Sequence, residues 1–199
     1  MPTTPIDHWI YTKNEWEGPF KKLLDQVEKP KVVYDVGANV GGFTQVVLDM
    51  WSPEVHAFEP VERNYQAFEE YIGDRATLHK IGIYYGFRES HVQSRGDSNI
   101  GAFFVEHINA GEPRVTDAEI MQLRTFEELN LPKPDLIKMD IEGAEENVLE
   151  FSDLCRECPN LIIEWHPPVE PVAFFKKHLP NHKIVDSIDN IQFLLCKSQ

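Results

Sequence analysis

Behind Pro30 runs Lys31-Val32-Val33-Tyr34-Asp35-Val36, a short, β-branched, mostly apolar segment of the kind buried on both faces of a sheet. It breaks into Gly37-Ala38-Asn39-Val40-Gly41-Gly42, then resumes as a helix-compatible run from Phe43 to Trp51. Strand, glycine turn and helix, in that order, commit the chain to an open α/β sheet with a ligand site at the carboxyl end of its first strand. Gly37 and Gly41 can take positive φ and would let a ligand approach the backbone with no Cβ in the way. The helix start beyond them offers unpaired N–H groups to a carboxylate or phosphate.

The loop excludes two common ligand motifs. No Lys-Ser or Lys-Thr follows the glycines, so it is not a P-loop, and its G-x-x-x-G-G spacing is not G-x-G-x-x-G. Asp35 stands two places before Gly37, where a dinucleotide fold usually has an apolar residue. It could accept from the loop's own N–H groups or face a cationic ligand. S-adenosylmethionine suits it, carrying an ammonium, a carboxylate and a sulfonium; a glycine turn with a purely structural role is the alternative. The second strand, Val55-His56-Ala57-Phe58-Glu59-Pro60, places Glu59 about 20 residues beyond the loop, where an acid can accept both hydroxyls of a ribose. Pro60 turns the chain out of the sheet.

Further motifs follow along the chain. Trp16, Phe20, Leu23, Leu24 and Val27 have helical spacing and predict a helix on the sheet edge within an N-terminal helical extension, residues 1–30. Asn64 to Ile72 predicts another helix, and Thr77 to Ile83 a third strand, with Gly82 and Ile83 at its end beside the base of a bound nucleoside. Residues 84–124 lose the pattern and read as an insertion that shapes an acceptor pocket, with Asn99 a candidate substrate contact. A capped helix starts at Thr125. A fourth strand then ends in Asp140 and Glu142, and a fifth in Glu164-Trp165-His166. Strand alternation puts Glu164 and His166 on one side and Trp165 on the other. Glu145 and Glu146 fit the role of helix N-terminal acids. A helix over Val172–Leu179 and a closing antiparallel hairpin, joined by Asp189-Asn190, complete a doubly wound sheet in a single domain of 199 residues.

Charge narrows the partners. A net charge of -14 argues against nucleic acid and anionic membrane surfaces. No apolar run reaches spanning length, which argues against membrane insertion, and Met1 to Trp16 lacks a signal peptide's apolar core. Three cysteines, an odd number, fit a reducing compartment, so the expected location is cytoplasmic. Cys155 and Cys158 have redox or metal spacing but no second pair or nearby histidine completes a zinc site, which leaves plain thiols.

Four motifs now stand together: Asp35-Val36-Gly37-Ala38-Asn39-Val40-Gly41, Phe58-Glu59-Pro60, Ile137-Lys138-Met139-Asp140-Ile141-Glu142-Gly143-Ala144-Glu145 and Glu164-Trp165-His166. In them the chain resembles the FkbM family of S-adenosylmethionine-dependent methyltransferases, from about Val32 to His166. The resemblance implies a Rossmann-like class I methyltransferase fold with a seven-stranded sheet, and methylation of hydroxyls on sugars, glycolipids or macrolide-type products. It also implies that Gly37, Asn39 and Gly41 border the methionine end of the cofactor and Glu59 the ribose. S-adenosylhomocysteine would be the product.

A sugar hydroxyl is a poor nucleophile at neutral pH, so a base or metal should help remove its proton. His166 is the first candidate, with Glu164 orienting it, and Asp140 the second; Glu142 and His166 could also contact the acceptor. A divalent cation could share Asp140, Glu142, Glu164 and His166, though nothing in the sequence requires one. Two rivals stay open: a nicotinamide-dependent oxidoreductase, whose ribose Glu59 would also suit, and a cofactor-binding domain without turnover. The sequence leaves the acceptor sugar and the oligomeric state unassigned.

Overall fold

A computed structural model describes residues 4–86, 88–94, 102–105, 119–166, 170–188 and 193–198. The chain begins with helices α1 (Pro5–Glu17) and α2 (Lys21–Leu24), then β1 (Val32–Val36), α3 (Gly42–Trp51), β2 (Glu54–Phe58), α4 (Glu62–Tyr71) and β3 (Thr77–His79). Four short strands follow: β4 (Gly82–Ile83), β5 (Glu89–Ser94), β6 (Ala102–Val105) and β7 (Glu119–Arg124). The second half runs α5 (Phe126–Leu129), β8 (Leu136–Met139), α6 (Glu145–Phe151), α7 (Asp153–Glu157), β9 (Asn160–Glu164), α8 (Pro171–His178), β10 (His182–Ile188) and β11 (Phe193–Ser198).

The main sheet has seven strands in the order β3-β2-β1-β8-β9-β11-β10. Its five strands from β3 to β9 are parallel, and β11 and β10 close the edge antiparallel. Strand order reverses between β1 and β8, and that is the point where such sheets open a crevice beyond the strands' carboxyl ends. Period-two alternation divides the apolar side chains between the two faces. Val33, Leu136, Ile162 and Leu195 pack with Trp16, Leu23 and Val47 of the first three helices and with Phe20 of the turn before α2. Tyr34, Met139, Leu161 and Ile163 pack on the opposite side with Val148, Leu149, Phe174 and Phe175. Both faces are covered, as a parallel sheet requires. Among the described residues no helix is long and apolar enough to cross a membrane.

Three expectations need correcting. The N-terminal helix lies earlier than the apolar spacing suggested: Thr4 and Asp7 form a capping box and Pro5 opens α1, which stops at Glu17. The spacing from Trp16 to Val27 is real as a buried stripe but is carried across a turn and the short α2. The third strand also ends early, at His79, and Gly82 and Ile83 pair instead with Leu123 and Arg124. This opens a second, four-stranded sheet in the order β4-β7-β5-β6, so most of the described residues of 84–124 lie in strands. The turn at Asp189-Asn190 lies outside the described residues, but the antiparallel pairing of β10 with β11 is as expected.

Candidate active site

A cleft opens at the switch point, lined by Gly37 and Asn39 after β1, Glu59 and Pro60 after β2, Asp140 and Glu142 after β8, and Gly82, Ile83, Met121 and Leu123 from the second sheet. The glycine loop builds its floor. Gly37 has φ +76 and Gly41 φ +91, as a turn of this kind needs, and Asn39 shares the left-handed region at φ 53. Close approach, however, is by protein. A Cβ on Gly37 would come 1.7 Å from the Asp140 carbonyl oxygen, and one on Gly41 would meet Ile72 at 2.6 Å and Phe68 at 3.0 Å. Gly42 would meet Thr12 of α1 at 2.0 Å, and Gly82 would meet Leu123 at 2.8 Å. These glycines let four neighbouring elements close onto the loops that form the cleft.

Asp35 meets a hydroxyl and a lysine of the protein instead of the loop's N–H groups. It is fully buried and not in the cleft wall; its Oδ2 accepts from Thr44 Oγ1 at 2.7 Å, and its Oδ1 lies 3.4 Å from Lys138 Nζ. The β1–β8 register sets Asp35 directly opposite Lys138. Lys138 also donates to the Gly37 carbonyl at 2.7 Å and lies 3.7 Å from Asp140. Burial works against its charge, but Asp35, Asp140 and Glu164 outweigh that and raise its pKa. Ala38 is likewise internal, donating to the Phe58 carbonyl at 3.0 Å, and Gly41 faces α4.

Glu59 is 4% exposed and bound by three neutral donors. Its Oε2 accepts from Asn39 N at 2.8 Å; its Oε1 accepts from Val61 N at 2.9 Å and Asn64 Nδ2 at 3.3 Å. Burial pushes its pKa up to about 7, against those donors and Lys138. With one internal bond, Oε2 keeps room for another donor from the cleft.

Across the cleft, Asp140, Glu164 and His166 each place one ligand atom within 4.8 Å of the others. His166 Nε2 is 3.6 Å from Glu164 and 3.9 Å from Glu142, on the side that strand alternation indicated. Glu145, rather than Glu164, orients the ring: its Oε1 is 3.1 Å from His166 Nδ1. Glu145 is fully buried and also accepts from Ile141 N and Gly143 N, both at 3.0 Å. The hydrogen bond with Glu145 is the largest influence raising the His166 pKa to about 9; burial opposes it, and Asp140 and Glu164 add to it. Glu164 rises to about 8, first through burial and then through Asp140, while His166 pulls it down. These groups hold protons jointly at neutral pH.

Sequence reasoning missed Lys138 and Glu145 as site residues. A lone lysine inside the buried run Leu136-Ile137-Lys138-Met139 was the available signal, since a buried cation needs partners. Glu145 gave none beyond its motif. Asn99 lies outside the described residues. The cysteines are all free and buried, and burial raises Cys155 to about 12, as suits core thiols.

The chain is 30% identical over 150 residues to hexuronic acid methyltransferase AglP of Haloferax volcanii, a match covering 75% of this chain and 62% of that protein. It therefore spans less than two thirds of that relative. Among solved structures, methyltransferase FkbM from Methylobacillus flagellatus is similar with TM-score 0.53 and 18% identity, over 84% of this chain and 43% of that one. A tRNA (m1A22) methyltransferase of Streptococcus pneumoniae bound to S-adenosyl-L-methionine gives TM-score 0.53 at 11% identity, over 90% and 72%. These two show the fold, the Rossmann-like class I methyltransferase sheet. Residues 35–190, which contain both ends of the cleft, match the methyltransferase FkbM domain, and the chain belongs to that family.

Proposed function

We propose that this protein is an S-adenosylmethionine-dependent O-methyltransferase acting on a sugar hydroxyl. The observation that carries this reading is the position of Asp140. It lines the same cleft as Glu59 and the glycine loop, and it also belongs to the proton-holding cluster with Glu164 and His166. A cofactor seat thus adjoins a group of bases. The sugar acceptor rests on the family and on the 30% identical hexuronic acid methyltransferase.

The residues present fit the cofactor. Asn39 Oδ1 is buried without a partner at the loop, Glu59 Oε2 keeps acceptor capacity for a ribose hydroxyl, and Ile83, Met121 and Leu123 give an apolar wall for a base. When bound, S-adenosylmethionine supplies a sulfonium methyl whose C–S bond breaks as the acceptor's C–O bond forms. The chain's own residues align the acceptor and exclude water, which accounts for much of such catalysis. The hydroxyl proton passes to the Asp140–Glu164–His166 cluster. Glu145 fixes the imidazole and stabilises its charged form, and Lys138 holds Asp140 beside the Gly37 carbonyl. Lys138 already balances part of the acidic cluster, so no metal is assigned.

Two experiments test this. Calorimetric titration should show binding of S-adenosylhomocysteine and none of NAD; the reverse would replace the reading with a nicotinamide enzyme. Incubation with methyl-labelled S-adenosylmethionine and uronic-acid-containing glycans should then label the glycan. Binding with no labelled product across sugar acceptors would leave a cofactor-binding domain without turnover.

A further inference from the structure

Helix α1 packs along the glycine loop. Thr12 fills the space left by Gly42, and Trp9 stacks obliquely on Tyr71 of α4, ring centroids 5.7 Å apart. Between these contacts His8 Nε2 lies 3.3 Å from Asn39 Nδ2. An amide NH2 only donates, so Nε2 is the accepting, unprotonated nitrogen, and the ring proton sits on Nδ1. A neutral ring agrees with its surroundings. Burial brings the His8 pKa down to about 4, Asp140 pulling it up and Arg63 pushing it down. The other end of the Asn39 amide, Oδ1, is buried and has no partner. The acceptor Asn39 Oδ1 therefore lies at the cleft, with His8 packed against the same amide.

We propose that His8 and Asn39 together clamp the amino-acid end of the cofactor, the His8 Nδ1–H donating to its carboxylate and Asn39 Oδ1 accepting from its ammonium. This rests on the S-adenosylmethionine reading above. It makes α1 part of the binding site, although α1 lies wholly before the segment that matches the family, 35–190. The amino-acid end brings both an ammonium donor and a carboxylate acceptor, and an adenosine without it brings neither.

The test is calorimetric titration with two probes, S-adenosylhomocysteine and 5′-methylthioadenosine, which share the adenosine but differ in the amino-acid end. His8→Ala should weaken the first by about tenfold to a hundredfold, the range for a hydrogen bond to a charged group. It should leave 5′-methylthioadenosine within a factor of about two. His8→Gln, whose amide restores a donor, should recover part of the loss for S-adenosylhomocysteine and serves if the alanine variant does not fold. Equal weakening of both probes would overturn the clamp, because it would mean that His8 only seats α1. Unchanged affinity for S-adenosylhomocysteine would overturn it too. If the unmodified protein bound neither probe, the cofactor reading itself would fall and the clamp with it.

Discussion

Glu59, buried, and Glu164, half-buried, are two carboxylates at strand ends, raised to about 7 and about 8, yet their surroundings differ in kind. Around Glu59 the partners are neutral donors at fixed distances: two backbone N–H groups and the Asn64 amide. They hold one geometry and favour one role, accepting hydrogen bonds. Around Glu164 the neighbours are charges, Asp140 pushing its pKa up and His166 and Lys138 pulling it down. Those neighbours can exchange a proton without moving backbone. A dipole-bound carboxylate recognises; a charge-bound one can take part in proton transfer.

The sharpest way to break this contrast is at His166. His166→Ala should lower kcat by about a hundredfold to ten-thousandfold, the range for lost general acid–base help, while S-adenosylhomocysteine affinity stays within a few-fold. Turnover near wild type would show that the charged end does no chemistry. Lys138→Met comes next. It leaves Asp35 buried without its cation, and urea unfolding should show a loss of about 3–5 kcal/mol.

A pH series then reads both carboxylates at once. Glu59, Glu164 and His166 all have folded pKa values above their unfolded ones. Each therefore binds its proton more tightly in the fold. The stability this contributes is fully present below the unfolded values of about 4.5 for the acids and 6.5 for histidine, and is lost as pH rises through about 7, 8 and 9. The thermal midpoint should fall by about 5–10 °C between pH 6 and pH 9. A midpoint that rose over that interval would contradict the raised values of the three groups. Glu59→Gln is gentler. It should weaken S-adenosylhomocysteine by about tenfold with kcat at saturation retained, and it should flatten the affinity loss that the wild type shows on acidification below about pH 7. The smallest effect is expected from EDTA, which should leave initial rates unchanged. A rate abolished by EDTA and restored by magnesium would turn Asp140, Glu164 and His166 into a metal seat.

Much of this contrast was visible in the residues. Glu59 follows from its offset beyond the glycine loop, and Glu164 and His166 share a side because strand residues alternate. What pattern could not supply were pairings across long separations. Lys138 meets Asp35 only because β8 docks beside β1 in one register, and Gly82 leaves the main sheet only because β7 offers it a partner at Leu123. The same limit hid the reason for the glycines. Positive φ was readable from the loop, but the atoms that would strike a Cβ belong to α1, α4, β7 and the end of β8. Glu145 looked like an ordinary helix-start acid because its partner His166 lies 21 residues away.

The contact between Gly37 and the Asp140 carbonyl, where a Cβ would have only 1.7 Å, has an evolutionary consequence. The loop proposed to carry the cofactor and the strand end that leads into the Asp140 cluster touch backbone to backbone, with no side chain between them to absorb a change. A shift on one side is handed directly to the other. New acceptors are therefore more readily accommodated by remodelling the second sheet, which meets the cleft largely through side chains such as Ile83, Met121 and Leu123, than by any adjustment where those two loops meet.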